Sequence, residues 1–144
     1  MKTLKKNSHY VAFLVAFVAM CASLFFSEVL KFPPCVLCWY QRICMYPIVG
    51  LLGIGIYFRD KYVYRYVLLL ASIGILISLY HNLLYYKILP ESVAPCTFGV
   101  SCTTKFIEYF GFVTIPFLSG TAFALIIIFM LIYRRSVTTQ GKKK

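Results

Sequence analysis

Apolar residues in this chain gather into four long blocks, at about 10–30, 38–57, 66–86 and 111–133. Each block comes close to the roughly 20 residues a helix needs to cross the hydrocarbon core of a bilayer. None shows the period-two alternation of a barrel strand, and in lipid a helix satisfies its own backbone polar groups. Tyrosine and tryptophan cluster near the block ends, at Tyr10, Trp39, Tyr40, Tyr57, Tyr66, Tyr85, Tyr86 and Tyr133, as interfacial belts do. The stretches between blocks are too short for a separate soluble domain. The pattern predicts an all-α fold, an integral membrane four-helix bundle forming one domain over 1–144. Loops at 31–38 and 87–110 lie on one side, and a tail covers 134–144.

Composition and charge refine this. The chain is 61% hydrophobic and only 13% charged, more apolar side chain than a soluble domain of 144 residues could hide. Eleven basic residues fall on one side: Lys2, Lys5, Lys6, Arg59, Lys61, Arg65, Arg134, Arg135, Lys142, Lys143 and Lys144. The other side has Lys31, Arg42, Lys87 and Lys105, with three acids, Glu28, Glu91 and Glu108. By the positive-inside rule both termini are cytoplasmic and the loops at 31–38 and 87–110 extracytoplasmic. The net charge of +11 is spread as short flanks of spans, which reads as topology and excludes a nucleic-acid partner. The first block has a basic start but no small–x–small site at its end, so an uncleaved span is expected. The end at 138–144 is expected to be a frayed, solvated tail.

Six cysteines change the picture further. Cys35 and Cys38 fall in the first outer loop, Cys96 and Cys102 in the second. Four of six therefore face an oxidising compartment, in two sequence-local pairs. Cys21 and Cys44 lie inside spans and read as small packing residues. Cys35-Val36-Leu37-Cys38 is a CxxC, which by itself fits redox chemistry, metal binding or a plain crosslink. Pro33 and Pro34 hold the approach extended and let a helix start after them. Cys38 is then expected in the first helical turn, where unpaired N–H groups and the helix dipole favour a thiolate. A thiolate is the form that attacks disulfides.

Arg42 lies four residues past Cys38 and shares its helix face. A lone interfacial arginine reads as one that snorkels and sets topology. Behind a CxxC the favoured reading is a fixed cation that stabilises the Cys38 thiolate and hydrogen-bonds a carbonyl oxygen of a bound acceptor. His81, beside Tyr80 and Asn82, falls near the outer end of the third span, at a similar depth. A packing histidine and a residue of a shared quinone-sized pocket weigh evenly there. Cys96 and Cys102 are separated by five residues that include Gly99, enough to bring the sulfurs together as a loop staple or a labile exchange pair. Phe106, Tyr109, Phe110 and Val113 recur at helical spacing and predict a short helix on the outer surface. Pro47 and Pro116 are expected to bend spans two and four, Pro116 little if it sits at its helix start.

Two outer dithiol pairs suggest a relay, because exchange through a mixed disulfide carries two electrons from pair to pair. No haem-attachment CxxCH or dinucleotide fingerprint accompanies them, so a lipid-soluble quinone is the economical acceptor.

"PCVLCWYQRICMYP", the histidine late in span three, the paired-cysteine second loop and "GFVTIPFL" at the start of span four resemble the DsbB family, in particular its short Gram-positive BdbC-type branch. The resemblance covers nearly the whole chain. It implies a multi-pass thiol oxidase of the bacterial cell membrane that reoxidises an extracytoplasmic DsbA-like (BdbD-type) partner of thioredoxin fold. By the same resemblance Cys96 forms the mixed disulfide, with Cys102 as its mate. Electrons pass on to Cys35 and Cys38. Cys38 meets the quinone (menaquinone or ubiquinone), which Arg42 orients and His81 helps to enclose. A metal-binding membrane protein is the first rival, because four outer cysteines suit zinc or copper(I). The oxidising compartment and the absence of histidines from the outer loops argue against it, and no metal is expected. A membrane protein whose disulfides only staple its loops is the second. A vitamin-K-epoxide-reductase-like enzyme is the third, but CxxC before the second pair, followed directly by WYQR, favours the DsbB order.

Overall fold

The computed structural model describes residues 2–31, 33–88 and 114–141. Four long helices account for nearly all of them: α1 Lys2–Leu24, α2 Val36–Tyr57, α3 Val63–Tyr85 and α4 Ile115–Gly141. A single π-helical turn, Phe25–Val29, extends α1. No strand occurs among the described residues. Each helix is long and apolar enough to cross a membrane, over Asn7–Val29, Val36–Tyr57, Val63–Tyr85 and Ile115–Thr139. The protein is a four-helix membrane bundle. Cys96, Cys102 and the surface helix expected around Phe106 lie outside the described residues.

Helix ends depart from the apolar blocks in a consistent way. α1 starts ahead of its block, α2 starts at Val36, and α4 continues through the basic flank to Gly141. Within the end expected at 138–144, residues up to Gly141 are helical, and Thr138 and Thr139 are exposed. The Thr138 and Thr139 hydroxyls donate back to the Arg134 and Arg135 carbonyls, at 3.0 and 2.8 Å, and no helix breaker occurs before Gly141. An apolar block measures the thickness of hydrocarbon to be crossed; the helix itself runs on into water. Pro47 lies inside α2, which stays helical across it. Pro116 is only the second residue of α4, where a missing N–H forfeits no intrahelical bond.

Neighbours in sequence are neighbours in space. α1 packs on α2, α2 on α3 and α3 on α4, and α4 closes the ring against α1. Turning at 58–62 and 86–88 relies on residues in the left-handed region. Arg59 has φ 52° and Lys87 has φ 56°. After each, a backbone N–H reaches five residues back to cap the helix end, Asp60 to Gly55 at 2.9 Å and Ile88 to Leu83 at 3.0 Å.

The interior holds Ile48, Leu52, Val67, Ala71, Phe123, Ile126 and Met130, all fully buried, while Leu14, Ile54, Leu69, Leu76 and Ile128 point outward. Lipid tails are as apolar as these side chains, so close fit rather than burial from water holds the helices together. Glycine permits that fit at Gly74, where the Phe123 ring occupies the place a side chain would take. One end of the bundle is tied by polar contacts instead. The Ser78 hydroxyl donates to the Pro116 carbonyl across α3 and α4 at 2.9 Å, and Thr114, buried, accepts the Phe117 N–H at the start of α4. The CxxC opens α2 at this same end.

Candidate functional site

Cys35 is the N-cap of α2. Its backbone is extended (φ −71°, ψ 169°), and its sulfur accepts the Cys38 N–H at 3.3 Å, a donor that otherwise has no partner at a helix start. One turn then carries Cys38 back over it, and the two sulfurs lie 2.7 Å apart. Both thiols are free. Cys38 is the third residue of α2, in the first helical turn where its spacing put it, and Cys35 stands one place ahead of the helix as its cap. The cause is the N-cap geometry that Pro33 and Pro34 set up.

α3 brings His81 to the pair. Its Nε2 lies 3.8 Å from Cys35 Sγ, and on the far side of the ring the Gln41 amide nitrogen stands 3.2 Å from Nδ1. An amide nitrogen only donates, so Nδ1 accepts and the proton of the neutral ring sits on Nε2, facing sulfur. Cys35, Gln41 and His81 are all buried. The Cys35 thiol is held well below its ordinary range, chiefly by the hydrogen bond from Cys38 and further by the one from His81, with burial opposing.

Arg42 reaches across to α1. Its Nε donates to the Ser23 hydroxyl at 2.9 Å and its Nη2 to the Ser23 carbonyl at 2.8 Å, while the guanidinium lies 5.6 Å from the centre of the Trp39 ring. Ser23 directly precedes the π turn's N-cap, where the carbonyl ladder of α1 widens. The half-buried cation is thus hydrogen-bonded to a neighbouring helix.

Cys35, Cys38, Gln41, Arg42 and His81 line the polar end of a cavity of about 530 Å³. Its other end is an apolar slot between α1 and α4, walled by Leu14, Val18, Leu118, Ala122 and Leu125. From Ser23 to Leu14 the slot follows α1 for roughly 14 Å at a helical rise of about 1.5 Å per residue. The shape suits a molecule with a small polar head and a long apolar tail.

Residues 5–133 match the family described as disulfide bond formation protein DsbB. The chain belongs to the DsbB family. Among individual proteins it is similar to disulfide bond formation protein C of Bacillus subtilis (strain 168), 50% identical over 125 residues, 87% of this chain and 91% of that one. It is also similar to the probable disulfide formation protein C 2 of Bacillus anthracis, 43% identical over 144 residues, 99% of this chain and all of that one. The probable disulfide formation protein C of Halalkalibacterium halodurans is 47% identical over 124 residues, 86% of this chain and 90% of that one. No solved structure matches the chain.

On this DsbB-family bundle Cys35, Cys38, Arg42 and His81 share one cavity, whereas Cys96 and Cys102 lie outside the described residues. Two site residues escaped the sequence reading. Gln41 stood in plain sight within "WYQR", on the helix face of the CxxC, but an amide beside a cation carries no signal of its own. Ser23 gave none at all, because serine in a span most often bonds its own helix.

Proposed function

We propose that this protein is a membrane thiol–disulfide oxidoreductase that makes disulfides for exported proteins by passing electrons from an extracytoplasmic partner to a membrane quinone. The observation that carries the proposal is a free cysteine pair, sulfurs 2.7 Å apart, at the polar end of a cavity whose remainder is an apolar slot. Proteins named for disulfide formation that share up to half of its residues support the same reading.

The relay runs in two exchanges. Cys96 accepts a reduced DsbA-like, thioredoxin-fold partner of the BdbD type as a mixed disulfide, and Cys102 is its loop mate. The Cys96/Cys102 dithiol then reduces the Cys35/Cys38 disulfide, a two-electron exchange that leaves both pairs of sulfurs accounted for. Reoxidation of Cys35 and Cys38 releases two electrons and two protons, and a quinone supplies the acceptor for both. The residues present fit such a group: Arg42 offers donors for a ring carbonyl, Cys38 and His81 line the cavity, and the α1–α4 slot takes a prenyl tail. His81 Nε2–H steadies the Cys35 sulfur when it is anionic, while Gln41 keeps the ring turned that way. Arg42, anchored on Ser23, is held at the cavity wall. With both termini cytoplasmic, the thiols face the exported partner.

The experiment is quinone reduction, followed spectroscopically, on adding a reduced thioredoxin-fold partner to purified protein, beside Cys38→Ser and Cys96→Ser variants. Reduction that needs both cysteines is expected. Wild-type rates in the Cys38→Ser variant would falsify the relay and leave the disulfides as loop staples.

A further inference from the structure

The metal reading failed at the sequence level for want of a histidine in the outer loops. A span supplies one. Cys35 Sγ, Cys38 Sγ and a His81 ring nitrogen all lie within 4.8 Å of one another. Tetrahedral zinc, with Zn–S of about 2.3 Å and Zn–N of about 2.0–2.1 Å, sets its ligand atoms roughly 3.5–3.8 Å apart. Cys35 Sγ and His81 Nε2 are 3.8 Å apart already. The sulfur pair, at 2.7 Å, has to open by roughly 1 Å, and Cys38 Sγ and the His81 ring, within 4.8 Å, have to close by up to about 1 Å, both within reach of side-chain rotation.

We propose that the reduced form of this protein binds one thiophilic d¹⁰ cation of the Zn²⁺ class through Cys35, Cys38 and His81, with the fourth position open to the cavity. Three further features favour it. Cys35 Sγ already accepts the Cys38 N–H at 3.3 Å, the kind of outer bond that steadies a metal thiolate. Gln41 backs the ring at Nδ1, and on metal binding its amide turns end for end to present oxygen there, so that the ring proton moves to Nδ1 and Nε2 faces the metal. Soft thiolates with one imidazole are the donor set that selects zinc, cadmium or copper(I) over magnesium or calcium.

Binding takes both sulfurs as thiolates, sends to solvent whatever thiol proton the pair still carries, and moves no electrons. It has two consequences. The cation occupies only the dithiol state, because a Cys35–Cys38 disulfide has no thiolate to give. It also sits at the polar head of the cavity, so metal and acceptor exclude one another and the metal holds the pair reduced. The site needs neither quinone nor partner protein, and so does not rest on the proposed relay.

The test is anaerobic titration of the full-length protein with Co²⁺, after reduction and removal of reductant, in a Cys96→Ser/Cys102→Ser background that leaves the CxxC as the outer pair. Thiolate-to-cobalt charge transfer and tetrahedral d–d bands report binding, and Zn²⁺ is then added to displace the cobalt. The expected result is one Co²⁺ per chain when reduced and none after the pair is oxidised. Affinity falls by more than about tenfold in His81→Ala, and by about tenfold in Gln41→Leu, whose amide only supports a ligand. Absent bands in the reduced protein overturn the site, and so does binding that persists after oxidation, a comparison that needs no His81 variant. Equal affinity in a folded His81→Ala protein overturns it too. Quinone reduction by metal-free wild-type protein from the same preparation separates the two proposals. If quinone is reduced and Co²⁺ is not bound, only the metal site falls; if Co²⁺ is bound as described and quinone is not reduced, only the relay falls.

Discussion

Cys35 and Cys38 differ in sequence only by order, yet the fold gives them different work. Cys35, as N-cap, collects a backbone N–H, the Cys38 thiol and His81 on one sulfur. An acid whose anion is stabilised in this way is ionised at neutral pH, and takes its proton back only as the pH falls toward its lowered value of about 4. Ultraviolet thiolate absorbance of the reduced protein is therefore expected to persist through neutral pH and to fade only in acid. Cys38→Ala removes the largest cause, so the same titration should move up toward the ordinary thiol value. An unmoved titration would mean that the N-cap N–H and His81 suffice without Cys38. Arg42 shows the complementary lesson. Its hydrogen bonds go to Ser23 on α1, and this anchor fixes where its charge stands along the cavity wall.

At the scale of elements, close approach between α3 and α4 positions His81. Gly74 admits the Phe123 ring, and one turn further on Ser78 holds the start of α4 through the Pro116 carbonyl. Adding a methyl group at Gly74 has no free space to fill. Gly74→Ala is expected to destabilise the bundle by about 1–3 kcal/mol, the usual cost of overpacking a well-filled core. Pairing it with Phe123→Leu should recover much of that loss, and thermal unfolding in detergent would measure both. If Gly74→Ala alone costs nothing, the helices have room to shift, and His81 is less firmly placed than this packing implies. The π turn after Leu24 belongs to the same scale. No residue type signals it, and it arises where α1 must present Ser23 to an arginine on its neighbour.

Over the whole molecule, the cavity joins the chemistry at one end of the bundle to the lipid-facing seam between α1 and α4. Filling the slot far from the sulfurs tests that continuity. Ala122→Trp is expected to raise KM for a long-tailed quinone about tenfold or more, while the Cys35 titration stays where it is. Such a split follows if the lost contacts serve ground state and transition state alike. Orientation is a second whole-molecule property. Membrane-impermeant thiol reagents on intact cells should label Cys96 or Cys102 after reduction, and cysteines introduced at Ser136 should stay protected until the membrane is opened. Labelling at Ser136 from outside would reverse the topology drawn from the basic flanks.

Span number, the paired cysteines and the company of Trp39 and Arg42 were legible in the chain alone. Lipid demands uninterrupted apolar helices of one length, and a CxxC behind two prolines is a local device that needs no partner to be seen. Only the tertiary structure decided which cysteine caps α2, that Arg42 is anchored on Ser23, and that Gln41 and His81 stand back to back beside the sulfurs. Those outcomes depend on the rotation of helices about their axes and on small residues that let them approach. Hydropathy, which treats every apolar face alike, carries no information about either.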